Sequence, residues 1–98
     1  MSVIAELSIF PTDKGESVSA DVARALAVIQ ASGLPYELNP MGTVIEGEWE
    51  DVIGVVSRCF AELKKDSKRI YLALKADYRE GPTGRMERKV SSVRQKLG

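Results

Sequence analysis

The feature that most constrains this chain is a turn signal near its middle, Asn39-Pro40-Met41-Gly42, between two short runs with strand character. Asparagine, proline and glycine in this arrangement favour a tight turn because of their special backbone preferences. The flanking runs cover residues 36–39 and 43–46, and Gly47 closes the second run. The sequence therefore predicts a β-hairpin at the centre of a small domain, with a helix-bearing unit on each side.

Two further strand-like segments lie at residues 3–10 and 69–77, the first ended by Pro11. In each segment, the residues at every second position are all apolar, and the residues between them are mixed. We call each of these alternating sets of residues a parity of the strand. The apolar parities are Val3, Ala5, Leu7, Ile9 and Ile70, Leu72, Leu74, Ala76. The mixed parities are Ile4, Glu6, Ser8, Phe10 and Tyr71, Ala73, Lys75, Asp77. This pattern indicates a sheet that helices cover on one face only.

Three segments carry apolar residues at helical spacing. Ser17 or Ser19 is expected to cap the first helix, and Gly33 is expected to end it. The second helix begins among carboxylates and ends among lysines, as the helix dipole favours. The third follows a turn at residues 80–84, is rich in basic residues, and is expected to pack lightly on the domain or on a neighbouring subunit. The three stripes are Val18, Val22, Leu26, Ile29; Trp49, Val52, Ile53, Val56, Phe60, Leu63; and Met86, Val90, Val93, Leu97.

The predicted order is strand–helix–strand, strand–helix–strand and a final helix. Two split β-α-β units of this kind describe the ferredoxin-like α+β fold, βαββαβ. Its four-stranded antiparallel sheet carries the helices on one face, and the first and third strands are central. With 98 residues, the chain is expected to form a single domain, residues 1–98.

Composition excludes several function classes. The chain has no histidine and one cysteine, Cys59, so zinc sites built from Cys and His and catalysis by Ser-His-Asp or Cys-His are excluded. Cys59 is expected to be a small buried hydrophobe. No apolar run approaches the roughly 18 residues of a membrane span, and the first residues do not resemble a signal peptide. We therefore expect a cytoplasmic protein with no membrane contact.

Charge is distributed unevenly although the formal net charge is zero. Residues 1–51 hold two basic and nine acidic residues, a balance of −7, whereas residues 52–98 hold twelve basic and five acidic residues, a balance of +7. Such asymmetry can indicate a basic surface for a partner, or self-association of acidic against basic surface. Alternatively, folding interleaves the two halves and cancels the difference.

Nucleic-acid binding is not predicted, although RNA recognition motifs share this topology. Those motifs need aromatic residues on the two central strands, where only Phe10 is available. No glycine-rich phosphate loop is present either. The basic last helix could attract phosphate or RNA, but a solvated helix face also explains its charges.

The uncovered face of the sheet and the tip of the hairpin hold the candidate site residues. Carboxylate, hydroxyl, amide and ammonium groups there could orient a small polar heterocycle, or the face could be solvated or sealed in a subunit interface. Glu6 and Lys75 are expected to form a cross-strand ion pair. Thr43, near the hairpin tip, could bond a ligand or complete its own turn. The candidate ligand-binding residues are Glu6, Ser8, Glu37, Asn39, Thr43 and Lys75.

Four segments resemble the small thiamine-binding protein family with a YkoF-like, ferredoxin-like fold. They are Ser8-Ile9-Phe10-Pro11, Ser17-Val18-Ser19, the hairpin segment 36–47 and Glu87-Arg88-Lys89-Val90. The resemblance implies a cytoplasmic protein that binds thiamine or its hydroxymethylpyrimidine moiety without known catalysis. It also implies a homo-oligomer, a dimer or tetramer built through the sheets. No cofactor is predicted.

Three hypotheses about function follow. The first is a small-molecule binding protein, in which Ser8, Glu37, Asn39 or Thr43 supplies hydrogen bonds to an aminopyrimidine. A carboxylate such as Glu6 would then favour the thiazolium cation. The second is a structural or regulatory homo-oligomeric module with no small ligand. The third is an enzyme, which ranks last because the usual catalytic groups are missing.

Overall fold

Seven elements follow one another in the computed structural model, which describes residues 2–81 and 84–98. They are β1 (Ser2–Pro11), α1 (Ser19–Ser32), β2 (Tyr36–Asn39), β3 (Gly42–Gly47), α2 (Trp49–Lys64), β4 (Ile70–Arg79) and α3 (Arg85–Leu97). This order confirms the predicted βαββαβ pattern with an additional C-terminal helix. The turn predicted at residues 80–84 includes Pro82 and Thr83, which lie outside the described residues.

The strands form one antiparallel sheet in the order β2-β3-β1-β4. As predicted, the first and third strands are central. β1 pairs with β4 along its whole length and with β3 over residues 3–7. Its clean apolar parity suits this central place, because a central strand in a sheet covered on one face must send every second side chain into the core.

The core lies between the sheet and the helices α1 and α2. The inward residues of β1 are buried, and Ile45 of β3 joins them. The helices contribute Ala25, Ile29, Val52, Val55, Val56, Cys59 and Leu63. Each fully buried aliphatic side chain contributes about 1.5–3 kcal/mol. This apolar layer therefore supplies most of the driving force that holds both helices against one face, which confirms the ferredoxin-like α+β architecture.

Cys59 is fully buried in this layer, as predicted. Its thiol donates a weak hydrogen bond to the carbonyl oxygen of Ala25, with an Sγ–O distance of 3.5 Å. Burial raises the pKa of the Cys59 thiol to about 11, because the thiolate would lose its hydration. The residue therefore packs as a small hydrophobe that links α2 to α1.

The start of α1 differs from the prediction. Val18 occupies the N-cap position, and no side chain accepts a capping hydrogen bond there, so neither Ser17 nor Ser19 acts as the predicted cap. The end of the helix is as expected: Gly33 adopts φ 77°, and its N–H donates to the carbonyl of Gln30. A left-handed residue that turns the chain away favours glycine at this position.

The inward face of α2 is rotated relative to the predicted stripe. Trp49 and Phe60 were expected to be inward, yet they are 50% and 40% exposed. Val55 and Cys59 take the inward positions instead. The apolar residues of α2 cover more than one side of the helix, so spacing alone did not decide which of them meets the sheet.

Two loops are joined at one end of the sheet. The Asp13 carboxylate, in the β1–α1 loop, accepts hydrogen bonds from the Ser67 hydroxyl and from the Lys68 N–H, the latter at 2.8 Å. The Thr12 N–H donates to the Arg69 carbonyl at 2.9 Å. Asp13 thus fastens the loop before α1 to the loop before β4.

Candidate ligand-binding site

Strand register confirms the predicted membership of the open face. Glu6 lies opposite both Val44 and Lys75, and Glu37 lies opposite Val44. Because paired residues in an antiparallel sheet point to the same face, these side chains all lie away from the helices. Ser8 is two residues from Glu6 on β1, and Asn39 is two residues from Glu37 on β2, so both point to the same face as these residues. Five of the six predicted site residues therefore belong to the open face.

The predicted ion pair between Glu6 and Lys75 is present. The Oε1–Nζ distance is 3.2 Å, and the Lys75 side chain is largely exposed. The Glu6 side chain lies across Gly42, since a Cβ atom at Gly42 would be 3.2 Å from the Glu6 Cγ. Exposed pairs of this kind contribute about 0–1 kcal/mol. The pair therefore leaves both groups accessible to a charged ligand at low energetic cost.

Thr43 lies on the opposite face of the sheet from the other predicted residues. It pairs with Leu7 and Leu38, faces the helices and is only 7% exposed. The turn consists of Pro40 and Met41 alone, so Thr43 is the second residue of β3. Among the described residues no hydrogen bond is formed by its hydroxyl, so it does not complete its own turn. Its role toward a ligand stays a prediction.

A cavity of about 250 Å³ lies between the hairpin, α1 and the distal half of β1. Ser8, Asn39 and Thr43 line it, and these are three of the six predicted residues. Glu6, Glu37 and Lys75 do not. Most of the wall is apolar, with Val22 and Leu26 on α1 facing the hairpin. The Ser8 and Asn39 side chains belong to the open face, so of the three predicted residues only Thr43 turns its side chain toward the helices and the cavity. A cavity with apolar walls and such a hydroxyl can hold a small polar ring and fix its orientation.

The α1 residues of this cavity were expected to be core residues. Val18, Val22 and Leu26 belong to the predicted stripe, yet they are only half-buried because the space beyond them is the cavity. Met41, at the hairpin tip, is 84% exposed beside the same space. The sequence pointed to this cavity only indirectly, because the predicted fold places the α1 stripe next to the hairpin.

A second arrangement was not predicted at all: Glu46 anchors α3. Its buried carboxylate accepts hydrogen bonds from the N–H groups of Arg85 and Met86, at 2.8 and 3.4 Å. It therefore caps the N-terminus of a helix in which no local side chain does so. Spacing could not reveal this contact, because the cap is supplied from a different strand.

Arg85 and Asp77 complete this anchor. The Arg85 Nη2 donates to the carbonyl oxygens of Asp77 and Ser2, at 2.9 and 3.3 Å. The Lys89 ammonium lies 2.7 Å from the Asp77 carboxylate. The pKa of Asp77 is lowered, first by the hydrogen bond from Lys89 and further by the nearby charge of Arg85. Beyond this anchor the helix packs lightly, as expected, and Val90, Val93 and Leu97 are exposed.

Two further findings concern residues 2–81 and 84–98. No group of three or more carboxylate, thiol or imidazole side chains is arranged to hold a metal ion. None of the described helices has both the length and the apolar character needed to cross a membrane.

Comparison with known proteins agrees with this geometry. The family model described as "Thiamine-binding protein" matches residues 5–94. A UPF0045 protein of Mycobacterium tuberculosis is 38% identical over 98 residues, covering 99% of this chain and 96% of that protein. A UPF0045 protein of Methanocaldococcus jannaschii is 35% identical over 91 residues, covering 93% and 91%.

Solved structures share the fold over almost the whole chain. A crystal structure of the M. jannaschii protein matches with a TM-score of 0.87 and covers 94% of this chain and 95% of that chain. A structure from Thermotoga maritima, provisionally assigned to thiamine biosynthesis or salvage, matches with a TM-score of 0.84 at 29% identity and covers 95% and 99%. The chain belongs to the thiamine-binding protein family.

Proposed function

We propose that this protein binds thiamine or its hydroxymethylpyrimidine moiety, and that the pyrimidine ring occupies the hairpin cavity. The observation that carries the proposal is the cavity of about 250 Å³, in which Ser8, Asn39 and Thr43 are set among apolar walls. Membership of the thiamine-binding protein family supports the ligand class.

The size of the cavity favours one ring over a whole vitamin. Pockets for drug-sized ligands measure about 300–1,000 Å³, so this smaller space suits the pyrimidine alone. The Thr43 hydroxyl, which faces the helices, can donate and accept, as the aminopyrimidine edge requires. The thiazolium ring of thiamine would then lie outside the cavity, and Glu6, whose carboxylate is on the other face of the sheet, would not contact it.

Calorimetry tests this proposal with hydroxymethylpyrimidine, thiamine and thiamine phosphates as separate ligands. Thr43→Val removes the hydroxyl while keeping the shape, and we expect about tenfold weaker binding from one lost hydrogen bond. Glu37→Gln is the matched control, because Glu37 belongs to the same hairpin but does not line the cavity. Absence of heat with every ligand would refute binding, and equal losses in both variants would move the site elsewhere.

We also propose that binding is not coupled to catalysis and that the protein works in the cytoplasm. The absence of histidine from the sequence supports the first point, because a common general base is missing. Incubation of thiamine and its phosphates with the protein, followed by mass spectrometry, should return them unchanged. A product formed at a rate proportional to protein concentration would refute the first point.

A homo-oligomer, either a dimer or a tetramer, is part of the same proposal. In the described part of the chain, α3 is held on the open face of the sheet at its first turn through Glu46, and its apolar residues Val90, Val93 and Leu97 are exposed. Exposed apolar surface of this kind favours association. The same observation supports the alternative function, a structural or regulatory module without a small ligand. Light scattering measures the assembly, and calorimetry distinguishes the two functions.

A further inference from the structure

A basic pocket of about 230 Å³ lies between the end of β4 and the first turns of α3. Its lining residues are Arg79, Arg85, Arg88, Lys89 and Ser92. The last four follow the spacing i, i+3, i+4 and i+7, which places them on one side of the helix. The lining therefore combines four cationic side chains with one hydroxyl.

Arg85 is the buried member of this pocket. Its side chain is only 6% exposed, and its Nη2 bonds two backbone carbonyls. Its Nε and Nη1 have no hydrogen-bond partner among the described residues. Asp77 Oδ2 lies 3.6 Å from Nη1, which is too far for a hydrogen bond. Buried donors without acceptors are costly in native structures, so this guanidinium lacks an acceptor that a ligand can supply.

Neighbouring side chains converge on Arg85. Arg88 folds back over the start of the helix, since its Nη1 would be 3.2 Å from a Cβ atom on Gly84. The Lys89 ammonium is held on the Asp77 carboxylate at 2.7 Å. The pocket lining itself holds four cationic side chains, and the neighbouring Asp77 carboxylate pairs with two of them, Arg85 and Lys89.

We propose that the basic pocket binds the phosphate group of a small phosphate monoester. Guanidinium groups donate paired hydrogen bonds to phosphate oxygens, and the ligand's dianionic charge matches the excess of cations. The bound phosphate engages Arg85 from the pocket side as the long side chains of Arg88 and Lys89 move to coordinate it. The volume accommodates one tetrahedral oxyanion. A nucleic-acid backbone would need a longer basic track, yet Arg94 and Lys96 do not line the pocket.

Titration followed by NMR tests this site, with inorganic phosphate and glycerol 3-phosphate as probes and sodium chloride at equal ionic strength as reference. We expect saturable shifts in the backbone and arginine Nε–H signals of the lining residues. Arg79→Gln and Arg88→Gln should each weaken binding about tenfold, as expected for the loss of a charge-assisted hydrogen bond. Arg94→Gln, on the same helix but outside the pocket, should change it less than twofold.

Arg85→Lys is a useful further variant if it folds, because it keeps the charge but loses the fork of donors. It should bind phosphate about tenfold more weakly. Equal shifts with chloride, or equal losses in Arg88→Gln and Arg94→Gln, would overturn the proposal in favour of a diffuse basic surface. Tighter binding of single-stranded RNA, with shifts reaching Arg94 and Lys96, would overturn it in favour of a nucleic-acid surface.

Discussion

The carboxylate of Glu46 accepts a 2.8 Å hydrogen bond from the backbone N–H of Arg85, 39 residues further along the chain. A strand residue thereby performs the task that usually falls to a local N-cap side chain. The third helix is held to the sheet at its first turn, while the rest of its length has little support from the domain.

Removing this cap should release α3. Glu46→Ala leaves the Arg85 and Met86 N–H groups without their acceptor, so we expect a loss of about 1–2 kcal/mol in the free energy of unfolding. Hydrogen exchange of these two amides should accelerate, whereas exchange in β1 should change little. Glu87→Gln, an exposed change in the same helical turn, serves as the control and should alter stability by less than about 0.5 kcal/mol.

A methyl group at Gly42 should destabilise the hairpin. The new Cβ would lie 3.1 Å from the Leu7 carbonyl oxygen and 3.2 Å from the Glu6 Cγ, and the backbone oxygen of a central strand cannot move freely. We expect Gly42→Ala to cost about 1–3 kcal/mol in urea unfolding. Gly54→Ala, inside α2 with ordinary contacts, should be neutral or stabilising by up to about 1 kcal/mol. Equal effects would contradict the close approach at Gly42.

Acid should weaken the connection between Asp13 and Ser67. The pKa of Asp13 is lowered, chiefly by the hydrogen bond from the Ser67 hydroxyl. The stabilisation is therefore fully present above the unfolded-state pKa of about 3.9, and it is lost as pH falls through the lower folded-state pKa.

Carboxyl NMR titration of the wild type and of Ser67→Ala measures this effect. The variant should show a higher Asp13 pKa and lower stability at neutral pH, and part of the stability difference should disappear at low pH. Glu16→Gln, in the same exposed loop, is the control for general acid effects. An unchanged Asp13 pKa in Ser67→Ala would show that the hydroxyl is not responsible.

Cys59 should resist thiol reagents until the protein unfolds. Burial raises its pKa to about 11, and the side chain is inaccessible. At pH 8 we expect labelling by a disulfide reagent at least about a hundredfold slower than in urea, because the thiolate is the reactive form. Fast labelling of the native protein would mean that α1 and α2 separate frequently.

A charge on the exposed stripe of α3 should reduce self-association. Val93 is 60% exposed in the isolated chain, so Val93→Asp should not affect folding but should oppose burial in an interface. Light scattering should show a smaller assembly than the wild type. Ser91→Asp, an exposed substitution on the same helix, is the control, and an unchanged mass for both variants would place any interface elsewhere.

Much of the fold was predictable because its signals are local. Alternation in β1 and β4 assigned the open face correctly, since adjacent residues of a strand must point to opposite faces. The Asn39–Gly42 turn located the hairpin because the backbone preferences of asparagine, proline and glycine are also local. The ion pair of Glu6 and Lys75 followed once the strand order was known.

The rest depended on contacts between distant segments. Trp49 and Phe60 fit the helical spacing of apolar residues in α2, but they are exposed. Packing against the sheet buries Val55 and Cys59 instead. The cavity exists because α1 and the hairpin do not close on each other, which no spacing in the sequence specifies. The ion pair of Glu6 with Lys75 joins an acidic residue of the first half to a basic residue of the second half, as interleaving of the two halves predicts.

The position of Glu46 also affects the register in which β3 pairs with the neighbouring strands. Thr43 and Glu46 are three residues apart in one strand, so they point to opposite faces of the sheet. A slip of β3 by one residue would turn the Glu46 carboxylate toward the core and bring Ile45 out of it. Such a misaligned strand would lose both its apolar anchor and the docking point of α3. The helix α3 therefore attaches only to a correctly registered sheet, and its attachment stabilises that register over a shifted one.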